Sequence, residues 1–258
     1  MYEWLDKELS AINTPRFHLV ESSVDSKLRE AVSESIHPLP QSYKVFVLKY
    51  GNARLYRRVR NNSYQVGVFA GPRESILKDG TLIFHIGFHD GASVYIKSNG
   101  EAQKFSVFEF ENNSESRVAN DFSTWLEESC ANARRSYGKE KWEEILQGPR
   151  PFDSREKGIV EARSKIAWRD LGIDRQGFHI IEIANRGNRT LPAITLGVRS
   201  KDSQLNGAIR LAIRNVNPGQ TLVIHADCYK GLVAPEDIEI YSLPDPQPED
   251  REYYWEFG

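Results

Sequence analysis

Two closely spaced turn signals, Asp90-Gly91 and Asn99-Gly100, constrain this chain more than any other feature. A two-residue type I′ turn needs positive φ at both central positions, which Asp-Gly and Asn-Gly supply at low cost. The flanking segments TLIFHIGF, ASVYIK and AQKFSVFEF alternate with a period of two and are rich in β-branched and aromatic residues. Strands joined by such short turns are antiparallel neighbours. With ARLYRRV and SYQVGVFA upstream, the pattern predicts an antiparallel meander.

Helical periods flank it. Trp4, Leu5 and Leu9 recur near helical spacing, and SSVDSKLREAVSESI places Val24, Leu28 and Val32 on one stripe, with Ser22 or Ser23 as cap. Pro38 and Pro40 break the chain. Tyr43, Phe46, Val47 and Tyr50 then follow an i, i+3, i+4, i+7 pattern that ends at Gly51, where a C′ glycine belongs. Downstream, SRVANDFSTWLEESCANARRSYG reads as a long helix with Val118, Phe122, Trp125 and Leu126 as its buried stripe, closed by Gly138. A short helix around Trp142, Ile145 and Leu146 ends at Gly148. Helices from both ends can therefore cover one sheet face. Pro40, Gly51, Gly91 and Gly100 are its structural junctions.

The glycine, prolines and dense charge of GPRPFDSREKG mark 148–158 as a linker between an α+β domain, 1–147, and a strand-rich domain, 159–258. Short strands in FHIIEIAN, AITLGVRS, AIRLAIRNV, TLVIHADCY and IEIYSL, separated by turns such as Asn206-Gly207, suggest an all-β immunoglobulin-like sandwich. The closing LPDPQPEDREYYWEFG is expected to pack back on a domain, since free tails seldom carry so many aromatics.

Composition limits the function. A formal charge of −2 in 258 residues gives no general attraction to nucleic acid or anionic membranes. No long apolar stretch suggests a membrane span, and the acidic amino terminus is unlike a signal peptide. Cys130 and Cys228 read as reduced, inert thiols, which points to the cytoplasm.

Catalytic patterns are missing. No G-x-S-x-G, H-E-x-x-H, Walker loop or dinucleotide fingerprint occurs. His85 and His89 lie on a strand, about 13 Å apart if extended, too far to share a metal. Gly71-Pro72 reads as a turn. Glu127-Glu128 and Glu143-Glu144 read as solvated helix charges. No cofactor or metal is expected. Arg54, Arg57, Arg58 and Arg60 make the first strand basic, with Arg54, Arg58 and Arg60 on one side. They form either a docking strip for a protein partner or the charged guard of an edge strand.

The order LPQSYKVFVLKYGNARLY, IGFHDGASVYI, then VFEFENNSESRVANDFSTWLEES resembles the SUKH superfamily, which includes bacterial immunity proteins and the yeast cell-wall-synthesis regulator. Leu39, Pro40, Tyr43, Phe46, Gly51, Gly87, Asp90, Gly91, Phe122 and Leu126 carry the resemblance over Ser22 to Gly138. Asn52 departs from it, standing where the family commonly has a second glycine. The resemblance implies a non-catalytic module that binds and occludes a toxin domain, its oligomeric state left open by the sequence. A regulatory adaptor in envelope synthesis is the alternative within the binding class. A hydrolase using dispersed residues such as His85, His89 and Asp90 is the alternative outside it.

Overall fold

The change of period at Gly51 is realised in the computed structural model as the junction between a helix and a seven-stranded antiparallel sheet. The structure describes residues 1–21, 32, 39–58, 63–77, 79–98, 105–112, 114–201, 208–226, 235–242 and 246–251. Most of the expected second helix, Arg60, Cys228, the turns at Asn99-Gly100 and Asn206-Gly207 and the terminal aromatic run lie outside the described residues. Contacts divide the chain into two units, Met1–Pro149 and Arg150–Gly258.

In the first unit, α1 (Glu3–Ala11), β1 (Leu19–Val20) and α2 (Gln41–Tyr50) precede β2 (Ala53–Arg58), β3 (Ser63–Ile76), β4 (Leu82–His89), β5 (Ala92–Ser98), β6 (Phe105–Glu111) and β7 (Ser114–Ala119), and α3 (Phe122–Gln147) closes it. The sheet order β1-β2-β3-β4-β5-β6-β7 is a pure meander. Asp90 and Gly91 both have positive φ, 49° and 93°, as their hairpin requires. The α2 stripe of Tyr43, Phe46, Val47 and Tyr50 is buried, and Gly51 caps the helix at φ 65°. A Cβ on Gly51 would sit 2.3 Å from the Glu21 carbonyl oxygen, so close approach and dihedral both demand glycine.

Three local expectations are corrected. Ser114–Ala119 is a strand, because Asp121 accepts from the Thr124 amide at 2.9 Å and starts α3 only at Phe122. Val118 thus packs on the core from β7 instead of from the helix. Gly71-Pro72 makes no turn: it lies inside β3, where the register against β4 shifts between Val68 and Arg73, a place where a proline costs no ladder bond. Gly138 does stand at positive φ, breaking α3, and Gly148 caps its end.

The second unit opens on a helix, α4 (Ser154–Ser164), which starts within the 148–158 segment expected to be a linker and runs past its end. Its cause is a capping box: Asp153 Oδ1 accepts from the Glu156 amide, and Glu156 Oε2 accepts from the Asp153 amide, each at 2.9 Å. Strands β8 (Ile166–Ile173), β9 (His179–Asn185), β10 (Leu191–Ser200), β11 (Ala208–Val216), β12 (Thr221–Ala226) and β13 (Ile238–Ser242) form two three-stranded sheets, ordered β12-β9-β8 and β11-β10-β13. Ile181 and Ile183 from the first sheet meet Leu196 and Ile238 from the second in one core. Near the C-terminus, Glu249 and Asp250 are buried, and Arg251 donates from Nε to Glu156 at 2.7 Å. Helices and sheets together make the chain α+β.

Candidate functional site

Strand alternation and register together assign each side chain of the meander to a face. Val66, Val68, Phe84, Ile86, Val94, Ile96 and Val107 point to the core shared with α2 and α3. Their neighbours form a row on the other face, running across all seven strands: Leu19, Arg54, Gly67, Phe88, Ser93, Phe110 and Glu115. A second row runs Arg73, His85, Tyr95, Phe108 and Arg117. At about 4.8 Å per strand the first row spans about 29 Å.

This face is apolar at its centre and cationic around it. Leu19, Phe69 and Phe110 are 41 %, 41 % and 44 % exposed, far more than a core would leave them. The Phe88 ring lies across Gly67, where a Cβ would approach it to 2.1 Å, and meets Phe69 at 6.2 Å between centroids. Tyr95 and Phe108 stack at 5.8 Å, and Lys97 stands 4.7 Å over the Phe108 ring. Lys97 and the Tyr95 hydroxyl both engage Glu115. The Lys97 hydrogen bond, then that of Tyr95, holds the Glu115 carboxyl below its usual range, while burial and Glu115 push the Tyr95 phenol up. Arg54, Arg73 and Arg117 are exposed around these rings. Rigid aromatic area with a polar surround is the chemistry of protein recognition.

Of the three expected arginines among the described residues, Arg54 alone is a free-standing member of this face. Arg54 lies in the first row. Arg57 is 4 % exposed; its amide donates to the Phe17 carbonyl and its own carbonyl accepts from Tyr137, both at 3.1 Å. Arg58 pairs with Asp90 at 2.8 Å, and Arg60 lies outside the described residues. The alternation on which the strip was read slips in β2, because Tyr56 takes φ 61° and Leu55 and Tyr56 are both buried. Nor is β2 an edge strand: β1 pairs with it through Leu19 and Val20.

The two histidines lie on opposite faces. The β4–β5 register shifts between His85 and Gly87, which reverses the parity. His85 faces the open side, 5.7 Å from the Tyr95 ring, and burial lowers its pKa. His89 faces the helices, with Nδ1 2.8 Å from Glu109, and that contact raises its pKa. Glu109 in turn accepts from Trp125 Nε1 at 3.3 Å. Thus His85, His89 and Asp90 do not converge, and among the described residues no three His, Cys, Asp or Glu are grouped to hold a metal. Cys130 is buried in the core, where desolvation pushes its thiol up.

Two polar features escaped the sequence pattern. Asn52, the departure from glycine, is a staple: Nδ2 donates to Glu21 at 2.7 Å and Oδ1 accepts from the Ala70 amide at 2.8 Å. Glu8, three residues after Leu5 on the apolar stripe of α1, is buried and accepts from Tyr56 Oη and, at 2.8 Å, from Arg134. A carboxylate on a core-facing stripe was the available signal.

Compared with family models, curated proteins and solved structures, the chain matches none. Among the described residues no helix is long and apolar enough to cross a membrane.

Proposed function

We propose that the chain is a non-catalytic protein-binding protein that recognises its partner with the open face of the seven-stranded sheet. The observation that carries this reading is the continuous row from Leu19 to Glu115, with half-buried Phe88 at its centre and exposed Phe110 and Phe69 in and beside it. About 29 Å by 20 Å of sheet, roughly 600 Å², supplies most but not all of the ~800 Å² per partner of an ordinary specific interface. The partner, on the SUKH resemblance, is a toxin domain whose active site the face occludes, and the protein acts in the cytoplasm as an immunity protein. Exposed Arg54 and Arg73 favour an acidic rim on that target.

An immunoglobulin-like build for the second unit belongs to the same proposal. Its support is the strand order: β9 and β10 are consecutive yet lie in different sheets, β12 returns beside β9, and β13 returns beside β10. Such crossings between sheets are Greek-key connections.

The test is survival of cells expressing the toxin domain encoded beside the gene. Wild type protects, and Phe88→Asp with Phe110→Asp abolishes protection while the melting profile stays within a few degrees of wild type. Equal protection by the folded double variant removes the sheet face from the mechanism. Failure of the wild type to bind any neighbouring toxin favours the adaptor reading.

A further inference from the structure

The β9–β10 loop and the C-terminal end of α4 border a cleft of about 340 Å³ that is open to solvent on one side, within the second unit and independent of the sheet face. Its lining includes Gly158, Glu161, Lys165, Arg186, Gly187 and Arg189. The loop is held from below by Asn185, only 2 % exposed. Asn185 Oδ1 accepts from the Gly187 amide at 2.9 Å, and Nδ2 donates to the carbonyls of Arg189 and Val216 at 2.9 and 2.8 Å. The Arg186 amide donates to the Lys165 carbonyl at 3.0 Å, joining loop to helix end. The wall is therefore preorganised.

Two glycines let these elements close together. A Cβ on Gly158 would fall 2.5 Å from Arg189 Nη1, so the guanidinium lies against bare helix backbone. A Cβ on Gly187 would fall 3.1 Å from that of Lys165. The lining brings together three exposed cations, Lys165, Arg186 and Arg189, with one carboxylate, Glu161, and the partial charge of about −0.5 at the helix end. The balance is near +1.5, which a phosphate monoester, at about −1.5 to −2 near pH 7, neutralises.

We propose that this cavity binds the phosphate group of a small phosphomonoester. Arginine forks suit phosphate oxygens geometrically, lysine adds a point charge, and the volume lies at the small-ligand end of the range for such sites.

Calorimetry on the full chain, with inorganic phosphate and with glucose 6-phosphate at constant ionic strength, tests it. Both probes give saturable binding, the ester tighter because it fills more of the cavity. Glucose 6-phosphate affinity rises about fourfold from pH 5.5 to 7.5 as the ester loses its second proton near pH 6, whereas the affinity of sulfate, a dianion throughout, stays nearly constant. Arg186→Ala and Arg189→Ala each cost about tenfold or more. Gly158→Ala displaces the Arg189 guanidinium and also weakens binding, yet its melting temperature is equal or higher because alanine favours the helix. The proposal is overturned by no saturable heat with either probe, or by binding that persists in folded Arg186→Ala and Gly158→Ala proteins.

Discussion

Replacing Glu8 by alanine tests how the first unit tolerates a charge in its core. The carboxylate is 8 % exposed and takes hydrogen bonds from Tyr56 Oη and Arg134 Nη1, with His18 Nε2 3.4 Å from Oε1. The Tyr56 amide donates to His18 Nδ1 at 3.2 Å, so Nε2 is the ring nitrogen that faces Glu8. Removal orphans a fully buried tyrosine hydroxyl, costing about 1–3 kcal/mol. It also strips Arg134 of its partner, but that side chain is 35 % exposed and can turn to water, which reduces the penalty to about 1 kcal/mol. The expected loss is about 3 kcal/mol, or about 6–12 °C in the transition of a unit this size. Burial raises the Glu8 pKa, but the contacts with His18 and Tyr56 and the Arg134 charge outweigh it, and the group is held below its usual value. A lowered folded pKa gives stability that is present above about pH 4.3 and lost as pH falls through the folded value. Scanning calorimetry of wild type and Glu8→Ala between pH 7 and 3 should show the difference shrinking toward low pH. A difference below about 0.5 kcal/mol at pH 7, or one that grows on acidification, would refute the reasoning.

Gly51→Ala should destabilise the first unit by about 3 kcal/mol in urea titration, since its φ of 65° and ψ of −141° lie in a region open essentially to glycine alone and its Cβ meets backbone. A loss under about 1 kcal/mol would mean the α2–β2 junction yields readily. Glu156 is opposed by burial, yet hydrogen bonds from Arg150 and Arg251 lower its carboxyl to about 2. Its contribution to the second unit is therefore complete above about pH 4.3 and falls away toward pH 2, and Arg251→Ala should flatten that acid limb of a stability-versus-pH curve.

Much of the fold was legible where local chemistry and tertiary packing agreed. The α2 stripe, the Gly51 exit and the Asp90-Gly91 hairpin each needed only a short window of sequence. The start of α3 was misplaced because Val118 sits at a helical interval from Phe122, while the Asp121 cap decides otherwise. The sequence Asp153-Ser154-Arg155-Glu156 carries a capping box that the surrounding charge and Gly158 obscured. The site was harder to see. Its face depends on two breaks in parity: the positive φ of Tyr56, a residue type that announces nothing, and the β4–β5 register shift, whose one local cue is Gly87 inside the strand. Tyr56 is held there by a histidine ring from β1's approach, far away in sequence.

The shortness of β1 has its own consequence. With two residues, Leu19 and Val20, it offers an incoming chain almost no backbone to pair with, and the opposite border strand, β7, carries Glu115 and Arg117 outward. Strand addition at either border is thereby discouraged, and molecules of this kind resist stacking edge to edge. On the proposed reading, specificity is then written in side chains alone, so single substitutions would retarget the face while the hydrogen-bonded lattice beneath it stays unchanged.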